Sequence, residues 1–197
     1  PLLSLPLAFG TVPDTVPVAA IPYLHPEPEL ARQWAARIGS EGFKIGICWA
    51  ANPGSDAGAD RAFALAALAP LAALPGVRLI SLQKQDGLEQ LHGLPAGMTV
   101  ETPGEDFDAG PDGFRDTAAI LPALDLVISC DTAVAHLAGA MGRPCWVALK
   151  QHPEWRWALN ETASPWYPSL TLFRQAGFED WASVFAAMAE KLKAQRA

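Results

Sequence analysis

Apolar residues along most of this chain arrive in short unbroken runs, with little polar alternation inside them. From Lys44 onward the runs fall at Ile45 to Ala50, Val77 to Gln83, Thr99 to Thr102, Leu126 to Cys130, Cys145 to Leu149 and Leu170 to Phe173. Each predicts a strand, and continuous Val, Ile and Leu content predicts that both faces are covered. Between them, alanine-rich stretches at Leu65 to Ala73, Leu88 to Leu91, Phe114 to Ala123 and Ala133 to Met141 predict helices, and a further one is expected at Trp181 to Lys193. Strand alternating with helix is the pattern of βαβ units. Right-handed crossovers stack such units into a doubly wound parallel sheet, so the fold class is α/β, Rossmann-like.

The first part of the chain has a different rhythm. Residues 1 to 29 hold seven prolines and almost no charge, which forbids long helices and removes donors from any strand. This segment is expected to be a Pro-rich connector from a missing N-terminal domain, leaving residues 30 to 197 as the folded unit. Its apolar residues, among them Leu5, Leu7, Phe9 and Val16, are too many for a solvated linker, so it is expected to pack along a surface. Leu30, Trp34 and Ile38 then recur at four-residue steps, a helix that Gly39 can stop.

Composition narrows the function classes. A balance of 21 acidic against 14 basic side chains, without a basic run, excludes a surface built to neutralise nucleic-acid phosphates. No apolar run approaches the roughly 18 residues of a membrane span, so a soluble, cytoplasmic protein is expected. Cys48, Cys130 and Cys145 all sit inside apolar runs, which predicts reduced thiols packed in a core; neither a metal site nor any cofactor is expected.

In an open parallel sheet, ligands bind beyond the carboxyl ends of the strands, so the loops after each strand carry the candidate chemistry. The segment Leu126 to Val147, LVISCDTAVAHLAGAMGRPCWV, runs from an apolar strand through Asp131-Thr132 into a small-residue helix carrying His136. Unpaired amides and the positive dipole end at such a helix start make an anion site. Asp131 or Thr132 is expected to cap the helix, with His136 one turn on, on the face of Thr132. After the first strand, Trp49 to Gly54 and on to Arg61 forms a long loop of small residues that ends in a guanidinium. No GxGxxG lies there, which argues against a nicotinamide dehydrogenase. Lys84, after the second strand, is either a ligand-facing ammonium or a solvated lysine. The loop Gln151 to Pro168 gathers His152, Glu154, Trp155, Arg156, Trp157, Trp166 and Tyr167. Aromatic rings beside arginine can clamp a sugar or a base, and they can equally be a packing knot against the core or a neighbouring domain.

Lys44 to Pro53 (KIGICWAANP), Ser81 to Lys84 (SLQK), Asp125 to Pro144 and Trp155 to Arg174 (WRWALNETASPWYPSLTLFR) together resemble the C-terminal half of glycosyltransferase family 9, the heptosyltransferase-like group. The similarity extends to bacterial members in which tetratricopeptide repeats precede the transferase. The resemblance implies a GT-B architecture in which this half binds a nucleotide-sugar donor and a missing N-terminal domain supplies the acceptor site. By that resemblance the donor-binding residues are Trp49, Asn52, Arg61, Lys84, Asp131, Thr132, Ala133, His136, Trp155 and Arg156. The fragment alone is expected not to transfer sugar, and no catalytic residue is assigned to it. Ala133 stands where heptosyltransferases have glycine, which puts the closest backbone approach to phosphate in question. The competing readings are a non-catalytic interaction module with a vestigial anion site and, third, a sugar-nucleotide epimerase or dehydrogenase.

Overall fold

All six apolar runs become parallel strands of one sheet. The computed structural model describes residues 4–12, 15–16, 20–51, 59–159 and 161–196. The strands are β1 (Phe43–Cys48), β2 (Val77–Ser81), β3 (Val100–Glu101), β4 (Leu126–Cys130), β5 (Cys145–Leu149) and β6 (Leu170–Arg174), in the spatial order β3-β2-β1-β4-β5-β6. β4 and β5 are buried along their whole length, as their unbroken apolar sequences require. One core layer holds Trp34, Ile38, Ile120, Leu121, Val134 and Trp157; the opposite layer holds Ile45, Ile47, Trp49, Leu65, Leu68 and Phe185.

The helices are α1 (Leu5–Ala8), α2 (Pro28–Ile38), α3 (Ala69–Ala72), α4 (Arg115–Ile120), α5 (Ala133–Ala140) and α6 (Trp181–Arg196). Trp34 and Ile38 are the buried positions of α2, and Gly39, with φ of 76°, ends it. Two predicted helices are shorter than their spacing implies. Leu65 to Ala73 begins as a 3₁₀ turn over Leu65–Leu68 before α3, and Phe114 to Ala123 divides into α4 and a 3₁₀ turn over Leu121–Ala123. Proline explains both breaks: the rings of Pro70 and Pro122 would strike the carbonyls of Ala66 and Ala118 in a continuous α-helix, and neither donates a backbone bond. Leu88 to Gly93 is likewise 3₁₀.

In the proline-rich segment, the amides of Tyr23 and Leu24 bond to the Ala140 carbonyl at 3.0 and 3.3 Å, tying it to the end of α5. Leu7 and Phe9 nevertheless stay 86% and 80% exposed, so they do not pack as a buried seam. Among the described residues no helix is long and apolar enough to cross a membrane.

Candidate functional site

β1 has β2 on one side and β4 on the other, so crossovers leave it in opposite directions and a crevice opens at its carboxyl end. A cavity of about 540 Å³ fills that crevice, within the range of small-molecule sites. Its walls come from the end of β1 (Cys48, Ala50, Ala51), the turn after β2 (Gln83 to Asp86), the approach to α4 (Asp108, Phe114) and the start of α5 (Asp131 to Val134), with Arg61.

Gln83 builds the floor. Its Oε1 accepts from the Trp49 and Ala50 amides, each at 3.0 Å, while its Nε2 donates to the Ala50 carbonyl at 3.1 Å. One side-chain amide thus clips the β1 turn to the β2 turn. The Trp49 ring lies beneath, fully buried, with its indole N–H given to the Gly87 carbonyl at 3.1 Å. Contrary to its expected donor-binding role, the Trp49 side chain supports the turn from the core and offers no face to a ligand. Asn52 lies outside the described residues.

At α5 the Thr132 residue occupies the cap position with extended backbone, φ −136°, but its hydroxyl makes no cap bond. The hydroxyl pairs instead with Ser129 Oγ at 2.9 Å and approaches Cys48 Sγ at 3.6 Å. The expected side-chain cap is absent because the Ser129 hydroxyl, three residues back on β4, captures the threonine. The helix-start amides at Ala133 and Val134 thus border the cavity without a side-chain cap. Asp131, nearly buried, holds Arg61 through Oδ2 to Nε at 3.6 Å. Lys84 also lines the cavity and donates its ammonium to the Phe107 carbonyl. Asp108 accepts from the Asp116 amide at 2.7 Å and from the Thr117 amide and hydroxyl, so its charge is spent on the start of α4. Sequence reasoning overlooked Asp108 and Phe114, because a backbone with φ of 47° and 67° at two non-glycine residues leaves no compositional trace.

His136 departs from the expected grouping. It does not border this cavity but a smaller one, of about 190 Å³, together with Trp155, Arg156, Trp166 and Tyr167. Thr132 is the extended, non-helical cap, so the four-residue spacing does not put His136 on its face; the His136 ring stacks on Trp157 at 5.0 Å and its Nδ1 meets the Tyr167 hydroxyl at 3.3 Å. Burial lowers the His136 pKa below its ordinary value; the Asp131 and Glu154 charges oppose the shift and Arg156 assists it. Burial raises the Tyr167 phenol well above its usual range. The predicted site residues thus divide. Arg61, Lys84, Asp131, Thr132 and Ala133 share the large cavity, and His136, Trp155 and Arg156 share the small one.

The comparison that decides the family is a sequence match: the model of glycosyltransferase family 9 (heptosyltransferase) covers residues 40–178. The chain belongs to glycosyltransferase family 9. The family 9 chain is 29% identical over 176 residues to Protein FlbA of Caulobacter vibrioides, covering 87% of this chain but 29% of that protein. Among solved structures it is similar to E. coli ADP-heptose lps heptosyltransferase II, with a TM-score of 0.61 and 18% identity over 92% of this chain and 55% of the other. E. coli heptosyltransferase WaaC with ADP-2-deoxy-2-fluoro heptose gives 0.55 and 16%, over 84% of this chain and 47% of that one. A family 9 transferase from Veillonella parvula gives 0.53 and 13%, over 91% and 49%. At these identities the structural likeness establishes the fold, and this chain spans about half the length of those enzymes.

Proposed function

We propose that this family 9 chain binds the nucleotide-sugar donor of a glycosyl transfer, with the diphosphate at the start of α5. The observation that carries the reading is the large cavity at the β1/β4 crevice, where uncapped helix amides, Arg61 and Lys84 converge. When a glycosidic bond to a nucleoside diphosphate breaks, negative charge grows on the β-phosphate oxygens. Fixed amides and cations in a partly desolvated crevice stabilise that charge without reorganising, and this asks for no divalent cation. Two cations face three carboxylates (Asp86, Asp108 and Asp131), so the formal charge of the lining is 2 − 3 = −1. Asp108 is already offset by the α4 amides it caps, and Asp131 by Arg61. An incoming phosphate takes over Arg61 from Asp131, whose freed oxygens then accept donor hydroxyls.

WaaC was solved with ADP and with an ADP-sugar analogue, which supports a nucleoside diphosphate as the ligand class. The coverage of about half of each heptosyltransferase supports a division of labour in which another domain of a longer protein binds acceptor and supplies the base. Donor binding without transfer is accordingly expected of residues 1 to 197 alone. A second reading, a contact module, is favoured by Leu7 and Phe9, exposed beside a cavity of about 490 Å³ between the proline-rich segment and Trp155 to Trp166. Calorimetric titration of the folded chain with ADP, GDP, UDP and their hexose conjugates separates the two. Saturable binding of at least one nucleotide supports the donor reading, and silence across the panel leaves the contact module.

A further inference from the structure

The turn that carries Arg61 is held from two sides. Downstream, the Phe63 amide donates to the Trp49 carbonyl at 3.0 Å, and the Phe63 ring packs on Phe185 and Trp181 with centroids 4.6 and 5.7 Å away. On the 3₁₀ turn itself, Ala59–Arg61, the Asp60 carboxylate accepts from the ammonium of Lys150. Lys150 stands on a fixed base. It directly follows β5, which is buried throughout, and nearly buried Gln175 brackets it. The Gln175 amide donates to the Leu149 carbonyl at 3.0 Å, and its Oε1 accepts from the Gln151 amide at 3.2 Å.

In the sheet β4 lies between β1 and β5, so this ion pair joins the loop after β1 to the end of β5 across the strand that leads into Asp131. Two strand spacings, roughly 10 Å, separate β1 from β5, a gap that calls for a side chain as long as lysine. From this geometry we infer that Lys150 is a positioning residue for the donor site: through Asp60 it fixes the Arg61 guanidinium beside Asp131 at the start of α5. The inference rests on the donor-binding reading.

Two features give the pair this role beyond that of a surface bridge. The contact of Arg61 with Asp131, at 3.6 Å, is loose and is given up when a phosphate enters, so it does not by itself set where the guanidinium points. That direction depends on the turn. Asp60, moreover, is the residue next to Arg61 and has a half-exposed side chain, so without Lys150 its carboxylate becomes a second claimant on the guanidinium. Lys150 holds that carboxylate on the β5 side and leaves Arg61 to the ligand. Lys150 is not on the wall of the large cavity, so it acts through Asp60 and not on the diphosphate.

Two measurements on the intact chain test this. The first reads Arg61 directly: the ¹H–¹⁵N heteronuclear NOE of its Nε–H, identified by its loss in Arg61→Ala, is expected to fall in Lys150→Met. It is expected to return in Lys150→Arg, which keeps both charge and reach. An NOE indifferent to Lys150→Met overturns the positioning role. The second is titration with ADP, GDP and UDP, carried to millimolar ligand. Lys150→Met is expected to weaken the best diphosphate by about two- to fivefold, the range of an exposed ion pair, with Lys150→Arg close to the native value. In an Arg61→Ala background Lys150→Met is expected to cause no further loss, because a half-exposed Asp60 reaches the ligand only through screening water. The same loss in both backgrounds means that Lys150 meets the phosphate itself, and no loss in either means a bridge that only braces the surface; each overturns the positioning role. Absence of binding by every diphosphate overturns the donor reading, while the NOE still decides whether Lys150 fixes Arg61.

Discussion

On the proposed donor reading, Arg61 is shared between Asp131 and an incoming phosphate, and this sets the affinity of the site. Its 3.6 Å contact to Asp131 is loose and a quarter of its side chain is exposed, so the pair contributes at most about 1 kcal/mol and yields readily. Asp131→Asn is therefore expected to tighten binding of a nucleoside diphosphate by up to about fivefold, because the phosphate no longer competes for the guanidinium. Arg61→Ala is expected to weaken it by roughly 10- to 100-fold, the loss of a charged hydrogen bond. Titration calorimetry on the two variants checks both signs; weaker binding by Asp131→Asn sinks the competition argument. Ala133 is exposed at the first position of α5, so on the same proposed reading its methyl stands where a phosphate would approach the amide.

At the scale of elements, α5 is the piece on which both cavities depend, and its small residues are there for packing. Val134, Ala135, Ala138 and Gly139 are buried, and Gly139 accepts the Tyr167 ring directly against the helix backbone. Gly139→Ala adds a methyl against the root of a ring that Ser164 and His136 hold in place. Alanine favours the helix by up to about 1 kcal/mol, but overpacking costs about 1–3 kcal/mol, and the second term wins. The net loss of up to about 2 kcal/mol is expected to lower the unfolding midpoint by up to about 8 °C for a domain of this size, unless the ring swings out. Scanning calorimetry measures it, and an unchanged or higher midpoint rules out the tight fit. The same scale explains the prolines: Pro70 and Pro122 shorten helices whose alanine content alone predicts continuity.

For the molecule as a whole, acid is expected to act in two windows. His136 is held neutral by burial, beside Asp131, Glu154 and Arg156, so below its ordinary value of 6.5 the unfolded chain takes up a proton that the folded chain refuses. Stability present above pH 6.5 is lost as the pH falls through the folded value. Glu101 follows lower down: its bond to Arg78 depresses its pKa, so its contribution is present above pH 4.5 and fades as the pH drops through the depressed value. Denaturant unfolding across pH 2.5 to 7.5 is expected to show both declines in the native sequence and only the lower one in His136→Gln. A variant whose upper window persists shows that another group causes it.

Fold class and strand positions were determined by sequence alone, because doubly covered strands must be apolar throughout; so was the crevice at the carboxyl edge, because a parallel sheet opens at its switch point. Arg61, Lys84, Asp131, Thr132 and Ala133 also follow neighbouring strands in sequence and line one crevice. Only tertiary structure decided that Trp49 is buried under the site, that Ser129 takes the Thr132 hydroxyl from its helix, and that His136 joins Trp155, Arg156 and Tyr167 in a separate chamber. Those outcomes turn on which side of a strand or helix a side chain leaves and what lies opposite it. Periodicity fixes a residue's face, but the partner across that face comes from Gln83, Ser164 or Tyr167, residues 31 to 34 positions away or held by a loop with no repeating pattern.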